Sequence, residues 1–267
     1  TRGGREDIND ISFFDDEIGV AIGSNGKSWI TNDSGANWLS VFTGVRANLN
    51  GVGFLDFSNG WAVGDEGTLL RTNNGGASWT KSVPIAEEDL LGVDFINEKT
   101  AVIVGANGLI LRSEDNGVSW QKQDSGTRFW LEDVKFFDAM RGVVVGDRGI
   151  VLLTSDGGES WRRIDIKLTE NLYAVSFFNE KTGYAVGANG TIMRTEDGGE
   201  TWRDQESGFS INLYAVQAFK EDEAVAVGEH GGVLRTIDGK NWGMQPDITG
   251  NLLQKVDYCG GTDLLVG

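Results

Sequence analysis

The octet TEDGGETW, Thr195 to Trp202, packs carboxylates, a glycine pair, hydroxyls and an indole into one short stretch. Such a mixture suits a metal ion, a phosphate or a stacked sugar. The octet is not unique, however. TNDSGANW (31–38), TNNGGASW (72–79), SEDNGVSW (113–120), TSDGGESW (154–161) and the shorter TIDGKNW (236–242) repeat its pattern. A ligand site is not needed six times over, whereas a turn is. An Asp side chain accepts hydrogen bonds from downstream backbone N–H groups, Gly supplies a positive φ, and Trp packs between layers. The turn reading covers Asp33, Asn74, Asp115, Asp156, Asp197 and Asp238 with Trp38, Trp79, Trp120, Trp161, Trp202 and Trp242. Asn74 replaces the acid in one copy and the last copy is a residue short, yet the register survives. Each copy offers one dependable carboxylate, too few for calcium. Burying each indole is worth about 2–3 kcal/mol. No metal and no cofactor is expected.

Other site chemistry is scarce. With His230 as the one histidine and Cys259 as the one cysteine, zinc spacing, internal disulfides and His-based triads have little to build on. The G-x-x-G turns precede no helix, so they are not phosphate loops. Lys+Arg 23 against Asp+Glu 40 gives a net charge of -17, which repels nucleic acid and anionic lipid. No apolar run is long enough to span a bilayer, and Thr1 opens a polar segment without a signal-peptide core, so a soluble chain is expected, compatible with the mature part of an exported precursor.

The elements behind the octets follow the same period. Gly23, Gly64, Gly105, Gly146, Gly187 and Gly228 stand 41 residues apart. Each unit reads as an alternating strand (Leu172, Val175, Phe177), an apolar run ending in Gly (GYAVG), a G-x-x-G turn, a third strand (TIMRT), the octet and a fourth strand. A four-stranded unit of this length predicts an all-β fold, a β-propeller forming one domain over residues 1–267. Six full units run from Ile8 to Met244, and NLLQKVDYCG with TDLLVG supplies two strands more. Seven blades with the last incomplete is the expectation, and six blades plus a hairpin the alternative.

The octet resembles the Asp-box of sialidase-type propellers, a BNR-type repeat. The longer pattern in VGANGTIMRTEDGGETW resembles the photosystem II stability/assembly factor family across essentially the whole chain. That resemblance implies an exported seven-bladed propeller, periplasmic, lumenal or extracellular. It would bind a membrane-protein precursor or another envelope protein without catalysis, through an arginine-rich surface. Arg71, Arg112, Arg194 and Arg235 share a third-strand position, where Ile30 and Leu153 stand in two units. Repetition favours a packing role for them, each pairing with a nearby carboxylate or carbonyl. Asp-box glycosidases keep carbohydrate binding or hydrolysis as the alternative. Pro84 and Pro246 are the only prolines and neither follows Arg-Ile, so the sialidase signature is missing, and no carboxylate pair stands out.

Binding is expected where copies disagree, on the loop face opposite the Asp-boxes. Most units place Asn48, Asp89, Asn171, Asn212 or Asn251 just before the first strand, whereas the fourth has Trp130, preceded by Arg128 and Phe129. A cation beside two large aromatics has the composition of an interface hot spot, against the alternative that Trp130 caps a gap between blades. Arg46, Tyr173, Tyr214, Asp65, Arg148 and His230 complete the candidate surface for a protein or peptide partner.

Overall fold

A computed structural model of the chain describes residues 7–246, 250–259 and 262–266. Six four-stranded antiparallel sheets, each in sequence order, form blade 1 (residues 8–42), blade 2 (49–81), blade 3 (90–123), blade 4 (131–163), blade 5 (172–205) and blade 6 (213–244). The protein is therefore an all-β propeller with six complete blades, which corrects the expectation of seven. A blade requires four strands, and among the described residues after Met244 the strands are Lys255–Cys259 and Thr262–Val266, paired as a two-stranded sheet. The strand Lys255–Cys259 packs between the inner strands of blades 6 and 1, so the ring closes through this hairpin. Residues 1–6 and 267, the ends of the expected 1–267 domain, and the Cys259 side chain lie outside the described residues.

The glycine that recurs at the period of 41 has a steric cause. A Cβ at Gly146 would lie 2.1 Å from the Trp130 carbonyl oxygen, and one at Gly64 2.0 Å from that of Asn48. Backbone at these glycines is extended (φ -173° at Gly146), so space rather than left-handed geometry demands glycine. Two residues further on, the turn does need a left-handed backbone, which Arg148 (φ 56°) and His230 (φ 57°) adopt despite their side chains.

The cores lie between blades, not within them. Trp202 of blade 5 packs on Val143, Val151 and Leu153 of blade 4, and Trp242 of blade 6 on Tyr184 of blade 5. Leu253 and Val256 of the hairpin continue the pattern against Ala215, Val225 and Val227 of blade 6.

Candidate functional site

The two faces and the central channel are built from the same kind of bond. On one face each Asp-box acceptor takes a backbone N–H four residues downstream, from Asn37 to Asp33 (2.8 Å) through Thr201 to Asp197 (2.8 Å). Asn74 serves as well as an acid because only Oδ1 is required: it accepts the Ser78 N–H, while its Nδ2 donates to the Ser78 hydroxyl. In the short sixth copy Asp238 takes the N–H of Asn241 instead, three residues on. The Ser119 hydroxyl and N–H hold the Asp115 carboxyl down at about 2.

The repeated arginines belong to this face. Arg71 donates to the Gly117 and Asn116 carbonyls, Arg112 to Gly157 (2.8 Å) and Arg194 to Gly239 (2.8 Å), each reaching the Asp-box turn of the next blade. Arg235 instead meets Glu223 on its own blade at 3.4 Å. Arg112 and Arg194 are buried, so these guanidiniums join blades and do not form an exposed cationic surface.

On the opposite face, the Asn or Asp before each inner strand accepts the turn N–H of the preceding blade. Asn48 takes Asn25 (3.0 Å), Asp89 takes Glu66 (2.9 Å), Asn171 takes Arg148 (3.0 Å) and Asn212 takes Asn189 (3.0 Å). Blade 4 keeps the backbone of this junction, with the Trp130 carbonyl accepting the Asp147 N–H at 3.0 Å. Its indole offers no acceptor, so Asn107 lacks the bond its counterparts make. Trp130 does not fold inward. It stays 42 % exposed and Phe129 37 %, and the Arg148 guanidinium lies over the Phe129 ring at 4.9 Å. Arg128 beside them is exposed.

Tyr173 and Tyr214 of the next two blades stack at 5.3 Å and 26°. The Tyr214 hydroxyl donates to Glu229, beside the exposed His230. Arg128, Phe129, Trp130 and Arg148 thus form one group and the tyrosines a second on the neighbouring blades. Asp65 is half-buried elsewhere on the ring, where it accepts the amides of Asn48 and Asn50 (both 2.9 Å), and Arg46 is exposed in the loop leading into blade 2.

Sequence reasoning missed the channel. Inner strands line a cavity of about 320 Å³. Across it Asp10 accepts the Val52 N–H (2.7 Å), Asp94 the Phe136 N–H (2.7 Å), Asp133 the Val175 N–H (3.0 Å) and Asp257 of the hairpin the Phe13 N–H (2.8 Å). Each carboxylate latches one inner strand to the next. Lys135 sits 3.3 Å from Asp94 and Lys255 3.4 Å from Asp10; Asp94 is the chief cause that raises the Lys135 ammonium. At the mouth, burial followed by the nearby Asp147 and Asp133 carboxylates pushes Glu132 up to about 7. Charged residues inside LEDVKF, a strand with apolar alternation, were the available signal. Among the described residues no cluster of His, Cys, Asp or Glu could hold a metal ion, and no helix is long and apolar enough to cross a membrane.

Comparison with known proteins places this architecture. The structure superposes on YCF48 bound to D1 peptide with a TM-score of 0.80 at 21% identity, covering 98% of this chain and 89% of that one. YCF48 from Cyanidioschyzon merolae gives 0.78 at 20% identity, covering 98% and 92%. The GH74 xyloglucanase from Xanthomonas campestris gives 0.79 at 14% identity, covering 99% of this chain but 51% of the enzyme. At these identities the likeness is one of fold. No curated protein sequence matches. The family described as photosynthesis system II assembly factor YCF48 matches over residues 32–129 and 159–248, most of the chain and four of its Asp-box turns in full, and the protein belongs to that family.

Proposed function

We propose that residues 1–267 form a single non-catalytic propeller domain that works in an exported compartment as an assembly-factor-like scaffold. It holds a protein or peptide partner on the face opposite the Asp-boxes. The observation that carries this reading is the blade-4 junction. There a repeated inter-blade bond is given up, and Trp130 and Phe129 stand exposed between Arg128 and Arg148. Aromatic rings flanked by guanidiniums supply large, rigid contact area with charge-assisted donors at its rim, the anchor chemistry of binding surfaces. The structure of YCF48 bound to D1 peptide supports the class of partner, a protein or peptide, without identifying the partner of this chain. Tyr173, Tyr214 and His230 extend the surface over blades 5 and 6, and Arg46 and Asp65 its far side. The likeness to a GH74 enzyme is one of fold and supports no hydrolytic activity here.

The test is capture from an envelope extract by the intact protein and by the triple variant R128A, F129A, W130A. The variant should lose the partners that the wild type retains while its thermal melt moves by less than about 2 °C, as for exposed substitutions outside a core. Unchanged capture overturns the site. A collapsed melt assigns Trp130 to packing, and hydrolysis of xyloglucan by the purified protein overturns the non-catalytic reading.

A further inference from the structure

Propellers expose the outer edge of every blade, and five of the six blades here guard it. Their outer strands are two or three residues long: Thr80–Lys81, Gln121–Gln123, Arg162–Arg163, Arg203–Gln205 and Gly243–Met244. Four of the five carry Lys or Arg. Short length and edge cations are the usual means of keeping another strand from adding to an open edge. Blade 1 has neither. Its outer strand Leu39–Phe42, LSVF, is the longest of the six and carries no charge. Leu39 is 68 % exposed and Phe42 91 %. One side of this strand pairs with Lys27–Thr31, from Ile30 opposite Leu39 to Lys27 opposite Phe42, and the other pairs with no strand among the described residues.

We propose that this edge is a second docking site, at which an extended segment of a partner protein adds as a fifth strand to blade 1. The partner segment is apolar at alternate positions and basic at its flank. Free backbone donors and acceptors along the edge require an extended chain, since a helix has none to return. Leu39 and Val41 point to one side of the sheet and Ser40 and Phe42 to the other, so the added strand is apolar at the alternate positions beside Leu39 and Val41 and, beside Ser40 and Phe42, carries residues such as threonine that offer both a hydroxyl and a methyl. The basic flank follows from charge. The exposed loop Asp15–Glu17 lies against the Asp-box turn that opens into this strand, with the Ser34 N–H bonded to the Glu17 carbonyl (3.0 Å) and the Ser34 hydroxyl to that of Asp16 (2.6 Å). Asp33 adds a further carboxylate in the same turn. These acids, on a chain of net charge -17, favour a cationic strand and oppose a second copy of the same edge. The site lies on the rim of blade 1 and is independent of the Trp130 surface.

The probe is a synthetic peptide of alternating valine and threonine flanked by lysines, titrated into isotope-labelled protein and followed by amide NMR. Shifts should concentrate on residues 39–42 and their neighbours in strand 27–31. The double variant L39K, F42K should weaken binding by about tenfold, equivalent to ~1.4 kcal/mol. Glutamate flanks in place of the lysines should weaken it similarly, and Gln121→Lys on the edge of blade 3 should leave it unchanged. Should the double variant fail to fold, F42K alone, at the most exposed of these side chains, carries the comparison. Shifts spread over other blades, or none at all, overturn the proposal. A dimer in sedimentation that F42K dissolves overturns the choice of partner, because it makes a second copy the occupant.

Discussion

The two faces of the propeller use one kind of bond, a side-chain oxygen accepting a backbone N–H, and treat repetition differently. On the Asp-box face the bond recurs in every blade, even where Asn74 stands for an acid and where the sixth turn loses a residue. On the opposite face it recurs at four junctions and stops at Trp130. A bond that survives changes of residue type and loop length serves the shared architecture. A place where one copy gives up that bond and exposes aromatics instead is released from that duty. The difference teaches where stability is held and where recognition can be.

The largest expected effect lies on the repeated face. Trp202 is 8 % exposed, packs across the blade 4 and blade 5 interface, and donates its indole N–H to the Gly199 carbonyl at 3.1 Å. Trp202→Ala should cost about 3–5 kcal/mol in equilibrium denaturation, as other buried indole truncations do. Truncating Trp130 should cost less than ~1 kcal/mol. Equal losses at the two tryptophans would erase the distinction between the faces.

The repeat made most of this legible before any coordinates. Copies in register gave the strand order, the turn role of the octet and the deviation at Arg128 to Trp130, because a period converts one sequence into its own alignment. Blade number was harder. NLLQKVDYCG has the pattern of an inner strand, but pattern alone does not supply the third and fourth strands that make a blade. Repetition of the arginines predicts pairing with nearby groups, while their reach of 45 residues, from Arg112 to Gly157 and from Arg194 to Gly239, belongs to the packing of neighbouring blades, which no local pattern encodes. The channel was invisible for a different reason. Asp10 and Asp133 stand three periods apart, but Gly51, Gly92, Ala174 and Ala215 hold that position in the other units, and only the packing of the inner strands brings the two beside Asp94 and Asp257.

Charge separates the faces further. Asp115 on the Asp-box face titrates at about 2, below its ordinary 3.8, so its stabilisation is present above pH 3.8 and is lost as pH falls toward 2. Glu132 on the other face behaves oppositely. Its carboxyl is raised from 4.5 to about 7, so the folded state holds the proton more tightly than the unfolded chain. The cost of its charge is absent below 4.5, grows between 4.5 and 7, and is complete above 7. Glu132→Gln should therefore stabilise the protein by about 1–2 kcal/mol at pH 8, a value reduced for the solvent at the channel mouth, and by nothing near pH 4. Denaturant midpoints of variant and wild type across this range measure it; a gain that is constant with pH would show that Glu132 does not titrate there.

The smallest effect reaches the centre of the comparison. If the junction before blade 4 gave up stability for an exposed surface, Trp130→Asn should recover what its counterparts have. The Trp130 backbone already makes the bond to Asp147 that Asn48 makes to Asp65 and Asn171 to Ala188, so an Asn side chain would start from the same backbone arrangement. Its Oδ1 could then accept the Asn107 N–H, as Asn171 accepts that of Arg148. One such bond at a partly solvated site is worth about 0.5–1 kcal/mol. The variant should be more stable than the wild type by that amount in denaturant titration and bind partner more weakly. A gain in stability with binding intact would leave the exposed indole without a role in recognition. A loss of stability would mean that Trp130 already contributes more by packing than the clamp would return.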